Sequence, residues 1–196
     1  MNDDQPFRLI LLAGFVVLMP IGIYHRLKSR TGEKLDRTQE GFFILIALRL
    51  VGVLGWFGLF AYLINPVWMA WAALPVPIWL RWTGVGFLAI AGGLCVWTLR
   101  NLGKNLTDTV VTRKQHTLVT SGPYRWIRHP FYTSAALMVP ASFLSAANWF
   151  FLVSGCAVFL LLMIRTRKEE ENLIARFGDE YRNYMQRTAR FVPGLY

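Results

Sequence analysis

The sequence predicts an all-α integral membrane protein with about five transmembrane helices. Its 196 residues are 55% hydrophobic and only 16% charged, with mean hydropathy +0.38. A soluble domain of this size needs a larger charged surface. Apolar stretches at 7–24, 41–64, 83–99 and 150–164 recur along the chain, with a softer one at 132–147. Roughly 20 apolar residues cross a bilayer, so the second is comfortable and the others are short but usable. Of the 21 lysines and arginines, five fall in 25–37, six in 100–128 and seven in 165–190, leaving Arg8, Arg49 and Arg81. With five spans these basic blocks share one side, which the positive-inside rule makes the cytoplasm. The N-terminus is then outside and the C-terminus inside. Charges that punctuate apolar spans, instead of forming one patch, argue against a nucleic-acid partner.

The first stretch follows Asp3 and Asp4 rather than lysines, and no small-residue cleavage site precedes the basic run after it, so it reads as a retained helix and not a signal peptide. On the second, Gly52, Gly55 and Gly58 repeat every three residues and form a stripe where another helix can approach closely. Arg49 interrupts that helix; it either snorkels towards the cytoplasmic end or faces the bundle interior. Residues 68–80 are apolar, but Pro75 and Pro77 make them a lumenal or re-entrant segment instead of a span. Cys95 and Cys156 lie within apolar spans, where packing is their expected role. Two such residues build neither a disulfide framework nor a zinc site, and no metal is expected.

From 100 to 128 the chain turns polar, with "TVVT" and "HTLVTSGPY" supplying β-branched residues and a turn in place of a helical period. The fourth stretch is interrupted by Pro140 and softened by Ser134, Ser142 and Ser145. After the last span, Leu173, Ile174, Phe177, Tyr181, Tyr184 and Met185 recur at spacings of three and four, reading as an amphipathic helix that Pro193 bounds downstream.

Two elements suggest chemistry. In "RHP", proline disfavours helix for the residue before it and suits a helix's first turn, so His129 sits just outside a helix start. Free backbone N–H groups there favour an anion or polar ligand. Gly122-Pro123 gives a turn upstream, and Tyr124, Trp126 and Tyr132 offer aromatic faces for an adenine ring or a sulfonium. A membrane-interface belt of Trp, Tyr and Arg explains the same residues without function. The second element is Glu169-Glu170-Glu171, read either as a solvated helix start or as partners for an ammonium or ribose hydroxyls.

"SGPYRWIRHPFYTS", then "KEEENLIARFGDEYRNYM" and "RFVP", resemble the isoprenylcysteine carboxyl methyltransferase family and the related phospholipid methyltransferases. Their pattern R-H-P-x-Y-x-G is met by Arg128, His129, Pro130 and Tyr132, with Ser134 standing where the pattern has glycine. The second pattern, E-E-x-x-L-x-x-x-F-G-x-x-Y-x-x-Y, is met by Glu169, Glu170, Leu173, Phe177, Gly178, Tyr181 and Tyr184. "RNLGKNLTDTV" looks like the start of the family's region. The resemblance divides the chain into a three-span scaffold, 1–99, and a methyltransferase region, 100–196.

It implies S-adenosyl-L-methionine as methyl donor, in a cytosol-facing pocket formed by the loop before the last hairpin and the C-terminal helix. The residues implied at the cofactor are His116, Leu118, Val119, Gly122, Tyr124, His129, Pro130, Tyr132, Glu169 and Glu170, with Arg165, Arg128 and Glu170 as catalytic candidates. The acceptor would be lipophilic and enter from the bilayer. A prenylcysteine carboxylate is already ionised and needs a holding cation, for which Arg165 and Arg128 are candidates. A phospholipid amine or a thiol needs a base, for which His129, His116 and Glu170 are candidates. A related membrane reductase using a nicotinamide cofactor, and a catalytically silent scaffold, are the rivals from other classes.

Overall fold

The computed structural model describes residues 4–29, 42–106 and 117–194. Its helices are α1 (Gln5–Lys28), α2 (Phe42–Ile64), α3 (Ile78–Leu102), α4 (Pro130–Ala146), α5 (Trp149–Phe177) and α6 (Asp179–Arg187). Among the described residues no strand forms beyond two isolated bridges. Four helices, α1, α2, α3 and α5, are long and apolar enough to cross a membrane. α4 has 17 residues, about 25 Å at 1.5 Å per residue, and runs back along α3 as the first arm of a hairpin with α5. The chain is an all-α integral membrane protein.

Successive helices alternate in direction. The ends of α1, α3 and α5 and the starts of α2 and α4 therefore share the end of the bundle that carries the described members of the basic blocks. At the opposite end, side chains tie helix termini together. Arg8 donates from Nε to the carbonyl of Leu63 and from Nη2 to that of Ile64, each at 2.7 Å, and so caps α2 from α1. Arg81, buried in the first turn of α3, donates from Nε and Nη2 to the Ser145 carbonyl at 3.2 and 3.0 Å. Its Nη1 pairs with Asp4 at 2.8 Å, and its guanidinium lies 4.1 Å from the centre of the Phe7 ring. Asn148, buried in the α4–α5 turn, donates to the Met69 carbonyl at 2.9 Å and accepts from the Phe150 N–H at 3.1 Å.

Several expectations change. Residues 68–80 form no single helix: a 3₁₀ segment (Pro66–Ala72) leads through an extended stretch into α3, which starts at Ile78 because Pro77 suits the position before a helix. The glycine stripe on α2 is partnered only at Gly58, where a Cβ would meet the Phe150 ring of α5 at 2.1 Å; Gly52 and Gly55 face open space. Arg49 is exposed on α2, so it does not face the bundle interior. The stripe from Leu173 to Met185 is not one separate helix. Leu173, Ile174 and Phe177 continue α5, and Gly178, at φ +57°, breaks the chain before α6 carries Tyr181, Tyr184 and Met185. The acidic run 169–171 lies inside α5, not at a helix start.

Candidate functional site

Proline sets the entry to α4 as its chemistry requires. His129 is the N-cap residue, at φ −124° and ψ 60°, and Pro130 opens the helix. The chain before it is held by the chain after α6. Ala189 donates its N–H to the Trp126 carbonyl at 3.0 Å, while the N–H groups of Arg128 and His129 donate to the carbonyls of Ala189 and Arg190 at 2.8 and 3.1 Å. The site is thus built from the two ends of the region, about 60 residues apart in sequence.

Glu170, buried on α5, is the centre of the resulting cluster. Its Oε1 accepts from Arg128 Nε and His129 Nε2, both at 3.1 Å, and from Arg190 Nε at 3.2 Å. Arg190 Nη2 closes on Oε2. The apolar part of α5 ends at Ile164, so Glu170 lies on the helix beyond the membrane-spanning stretch. Burial pushes its carboxyl up, but hydrogen bonds from His129 and Arg190, with the charges of both, outweigh that and hold it down at about 2. Glu170 is ionised at neutral pH, and His129 points Nε2 at an anion. That nitrogen therefore carries the proton.

One residue earlier, Glu169 accepts from the Tyr132 hydroxyl through Oε2 at 2.7 Å. The Tyr132 ring stacks on His129, with 5.5 Å between centroids and 6° between planes. Arg165 is half-buried one helical turn before Glu169, on the same face of α5. Arg128 is held at several points: besides Glu170 it donates from Nη1 to the Met185 carbonyl at 2.9 Å and to that of Thr188. Its guanidinium ties α4's entry to α6.

The preceding loop forms a second face. Gly122, at φ +60°, opens a 3₁₀ turn, and a Cβ there would fall 2.4 Å from the Asn101 side chain, so any other residue is strained there. Tyr124 is buried and its carbonyl accepts from the Tyr184 hydroxyl at 2.7 Å. Burial raises the Tyr124 and Tyr181 hydroxyls far above their usual range, with Glu169 and Glu170 respectively the next contributors, and it raises Tyr184 to about 12. All three stay neutral hydroxyls. A groove of about 410 Å³ runs between this loop and α6, lined by Leu118, Thr120, Arg125, Glu180, Tyr184 and Arg187 among others. Thr188 joins the two faces, lining the groove while its carbonyl accepts from Arg128.

The structure brings together Arg128, His129, Pro130, Tyr132, Glu169 and Glu170, and places Leu118, Val119, Gly122 and Tyr124 on the adjoining loop. His116 lies outside the described residues. Ser134 is buried and its hydroxyl donates to the Pro130 carbonyl at 2.8 Å, so its side chain is absorbed by its own helix. Arg190 is the member of this cluster that the sequence did not single out. Its only sequence signal is its place in "RFVP", and nothing in local spacing pairs it with Glu170.

Fold and site together define an all-helical membrane protein with a buried carboxylate–cation cluster at the basic end of its bundle. Residues 84–175 match the isoprenylcysteine carboxyl methyltransferase (ICMT) family. It is 32% identical over 134 residues to the human protein-S-isoprenylcysteine O-methyltransferase, covering 58% of this chain and 42% of that one. It is 33% identical over 121 residues to the cobalt-zinc-cadmium resistance protein CzcN of Cupriavidus metallidurans, covering 59% and 55%. A solved structure of a eukaryotic intramembrane Ras methyltransferase ICMT superposes with TM-score 0.53 over 75% of this chain and 52% of that one, at 22% identity, a likeness of fold. The chain spans about two fifths of the length of the mammalian relatives it matches.

Proposed function

We propose that this chain is a membrane methyltransferase that uses S-adenosyl-L-methionine to methylate the carboxylate of a prenylcysteine-like or other lipophilic acceptor. The observation that carries the acceptor class is Glu170: ionised, with two guanidinium groups and the His129 imidazole on its oxygens, it is no proton acceptor. A site whose central acid is spent in this way suits an acceptor that arrives already deprotonated, and a carboxylate does so at neutral pH.

The residues fit the cofactor's chemistry. Glu169 has one oxygen bonded to Tyr132 and offers its charge to an ammonium, while the Glu170 cluster carries at least one positive charge in excess and suits a carboxylate. Tyr132, His129 and the 118–124 loop supply flat and backbone surfaces for the nucleoside. Bound there, S-adenosyl-L-methionine would supply an electrophilic methyl group on sulfur. A carboxylate acceptor would take that methyl group as an ester without first losing a proton, so none of these residues would have to act as a base. Catalysis then rests on orientation and charge placement. Arg165, on the Glu169 face of α5 one turn nearer the apolar span, is the residue assigned to hold the acceptor, because a guanidinium matches a carboxylate at two points. The basic blocks support a cytoplasmic cofactor site.

Purified protein titrated with S-adenosylhomocysteine and with a reduced nicotinamide cofactor tests the class, and only the first is expected to bind. A farnesylcysteine analogue is expected to be methylated, and its amide to be inert. Turnover of phosphatidylethanolamine or a thiol, with none of the carboxylate, would refute the acceptor assignment and make His129's other ring nitrogen the base.

A further inference from the structure

The segment after α6 is a strap across the site. Thr188 leaves the helix in extended backbone, at φ −131° and ψ 139°, and Ala189 is buried against residues 126–128. The Phe191 carbonyl accepts from the Thr133 hydroxyl at 2.8 Å, and its ring lies 5.8 Å from His129 and 6.3 Å from Phe159. These contacts deliver Arg190 to the carboxylate of Glu170. The strap lies beyond residue 175, where the family match ends.

We propose that Arg190 is a positioning residue for the cofactor site: carried by the strap, its guanidinium sets the orientation of the Glu170 carboxylate and, through it, of His129. The proposal rests on the methyltransferase reading above. The three partners of Glu170 are not equivalent. Arg128 is also held by backbone carbonyls of Met185 and Thr188, so it belongs to the fold. His129 contributes one nitrogen and caps α4 with its backbone. Arg190 alone engages both carboxylate oxygens, a two-point contact that fixes the plane as well as the position of the carboxylate. It is also the most accessible, with 35% of its side chain exposed against 9% for Arg128 and 5% for His129. Without it Glu170 keeps two partners, so the fold survives, but the carboxylate is free to turn and His129 turns with it.

Isothermal titration of the full chain in detergent with S-adenosylhomocysteine tests this. Wild-type protein is measured first; failure of wild type to bind would overturn the cofactor reading itself, separately from this inference. Given binding, Arg190→Ala is expected to lower affinity about ten- to hundredfold, the worth of a charge-assisted contact, with the melting temperature near wild type. Arg190→Lys is expected to recover only part of the affinity, because an ammonium cannot span both oxygens. Methylguanidinium at millimolar concentration is expected to strengthen binding to Arg190→Ala and leave wild type unchanged. Wild-type affinity in Arg190→Ala, or a loss that neither lysine nor methylguanidinium relieves, would overturn the proposal and make Arg190 a plain fastener of the strap.

Discussion

Each end of the bundle buries an arginine beside an acid, but the two clusters are wired differently. At the α1 start, Arg81 has an acidic partner that is itself half-exposed, and its remaining donors go to the backbone at Ser145 and its face to Phe7. At the basic end, Glu170 is the buried member, and two guanidinium groups and an imidazole converge on it. The first arrangement saturates helix termini and uses up one charge with one charge. The second leaves positive charge in excess next to a groove, a second carboxylate and an aromatic stack. Side chains spent on carbonyls hold a fold together; side chains converging on one another with charge to spare suit a ligand.

Mutation should separate the two ends. The largest effect is expected from Arg81→Met, which strands Asp4 and leaves a buried Ser145 carbonyl without its donors. Leaving that buried carbonyl without a donor costs about 1–3 kcal/mol, and the lost stack on Phe7 adds to it. Thermal melts in detergent should show that loss, while the protein that remains folded binds S-adenosylhomocysteine with wild-type affinity. Altered affinity in the folded fraction would mean that the two ends are coupled.

Glu170→Gln should do the reverse. Charge-assisted contacts of this kind are worth about 1.5–3 kcal/mol, so affinity for S-adenosylhomocysteine should fall roughly ten- to hundredfold. Secondary structure by circular dichroism should remain. Glu170's stability contribution follows its lowered carboxyl: fully present above its unfolded value near 4.5, and lost as the pH falls from there towards about 2. Melts of wild type taken between pH 5 and pH 2 should therefore decline more steeply than those of Glu170→Gln. Equal slopes would mean that the carboxylate is not held as described.

Much of this contrast was legible in the sequence, and unevenly so. Hydropathy located all five helices of the bundle, because a bilayer imposes length and apolarity on each span locally. Pro130 after His129 announced the start of α4, and the family-like pattern drew Glu169, Glu170, Tyr132 and His129 into one site. What stayed hidden depends on chain segments meeting in space. Neither Arg81 with Ser145, 64 residues apart, nor Arg190 with Glu170, 20 apart across a helix break, obeys a periodicity that can be read along the chain. The glycine stripe misled because spacing of three gives a small face without saying whether a neighbour occupies it, and only Gly58 has one. The long amphipathic helix misled because Gly178 preserves the apolar spacing while breaking the helix.

A smaller effect is expected at Gly122, which belongs to the basic end through its turn. Gly122→Ala would force a Cβ against Asn101 and hold an alanine at φ +60°, costing about 1–2 kcal/mol of strain. Because the turn carries Tyr124 and the 118–124 loop, the change should show as weaker S-adenosylhomocysteine binding as well as a lower melting temperature. A lower melting temperature alone would detach the loop from the cofactor site.

The smallest effect is expected from Asp4→Asn, and it sharpens the comparison most. The Asp4 side chain is 50% exposed while Arg81's is 7% exposed. An ion pair with one partner in solvent gains little over hydration and is worth about 0–1 kcal/mol. Arg81 would keep its two donations to Ser145 and its stack on Phe7, and an asparagine oxygen can still accept from Nη1. The melting temperature of Asp4→Asn should therefore stay close to wild type, far from that of Arg81→Met, in both low and high salt. A loss as large as that of Arg81→Met would show that the α1 end is held by its ion pair rather than by carbonyl capping. The two ends of the bundle would then differ in the number of charges they gather and not in kind.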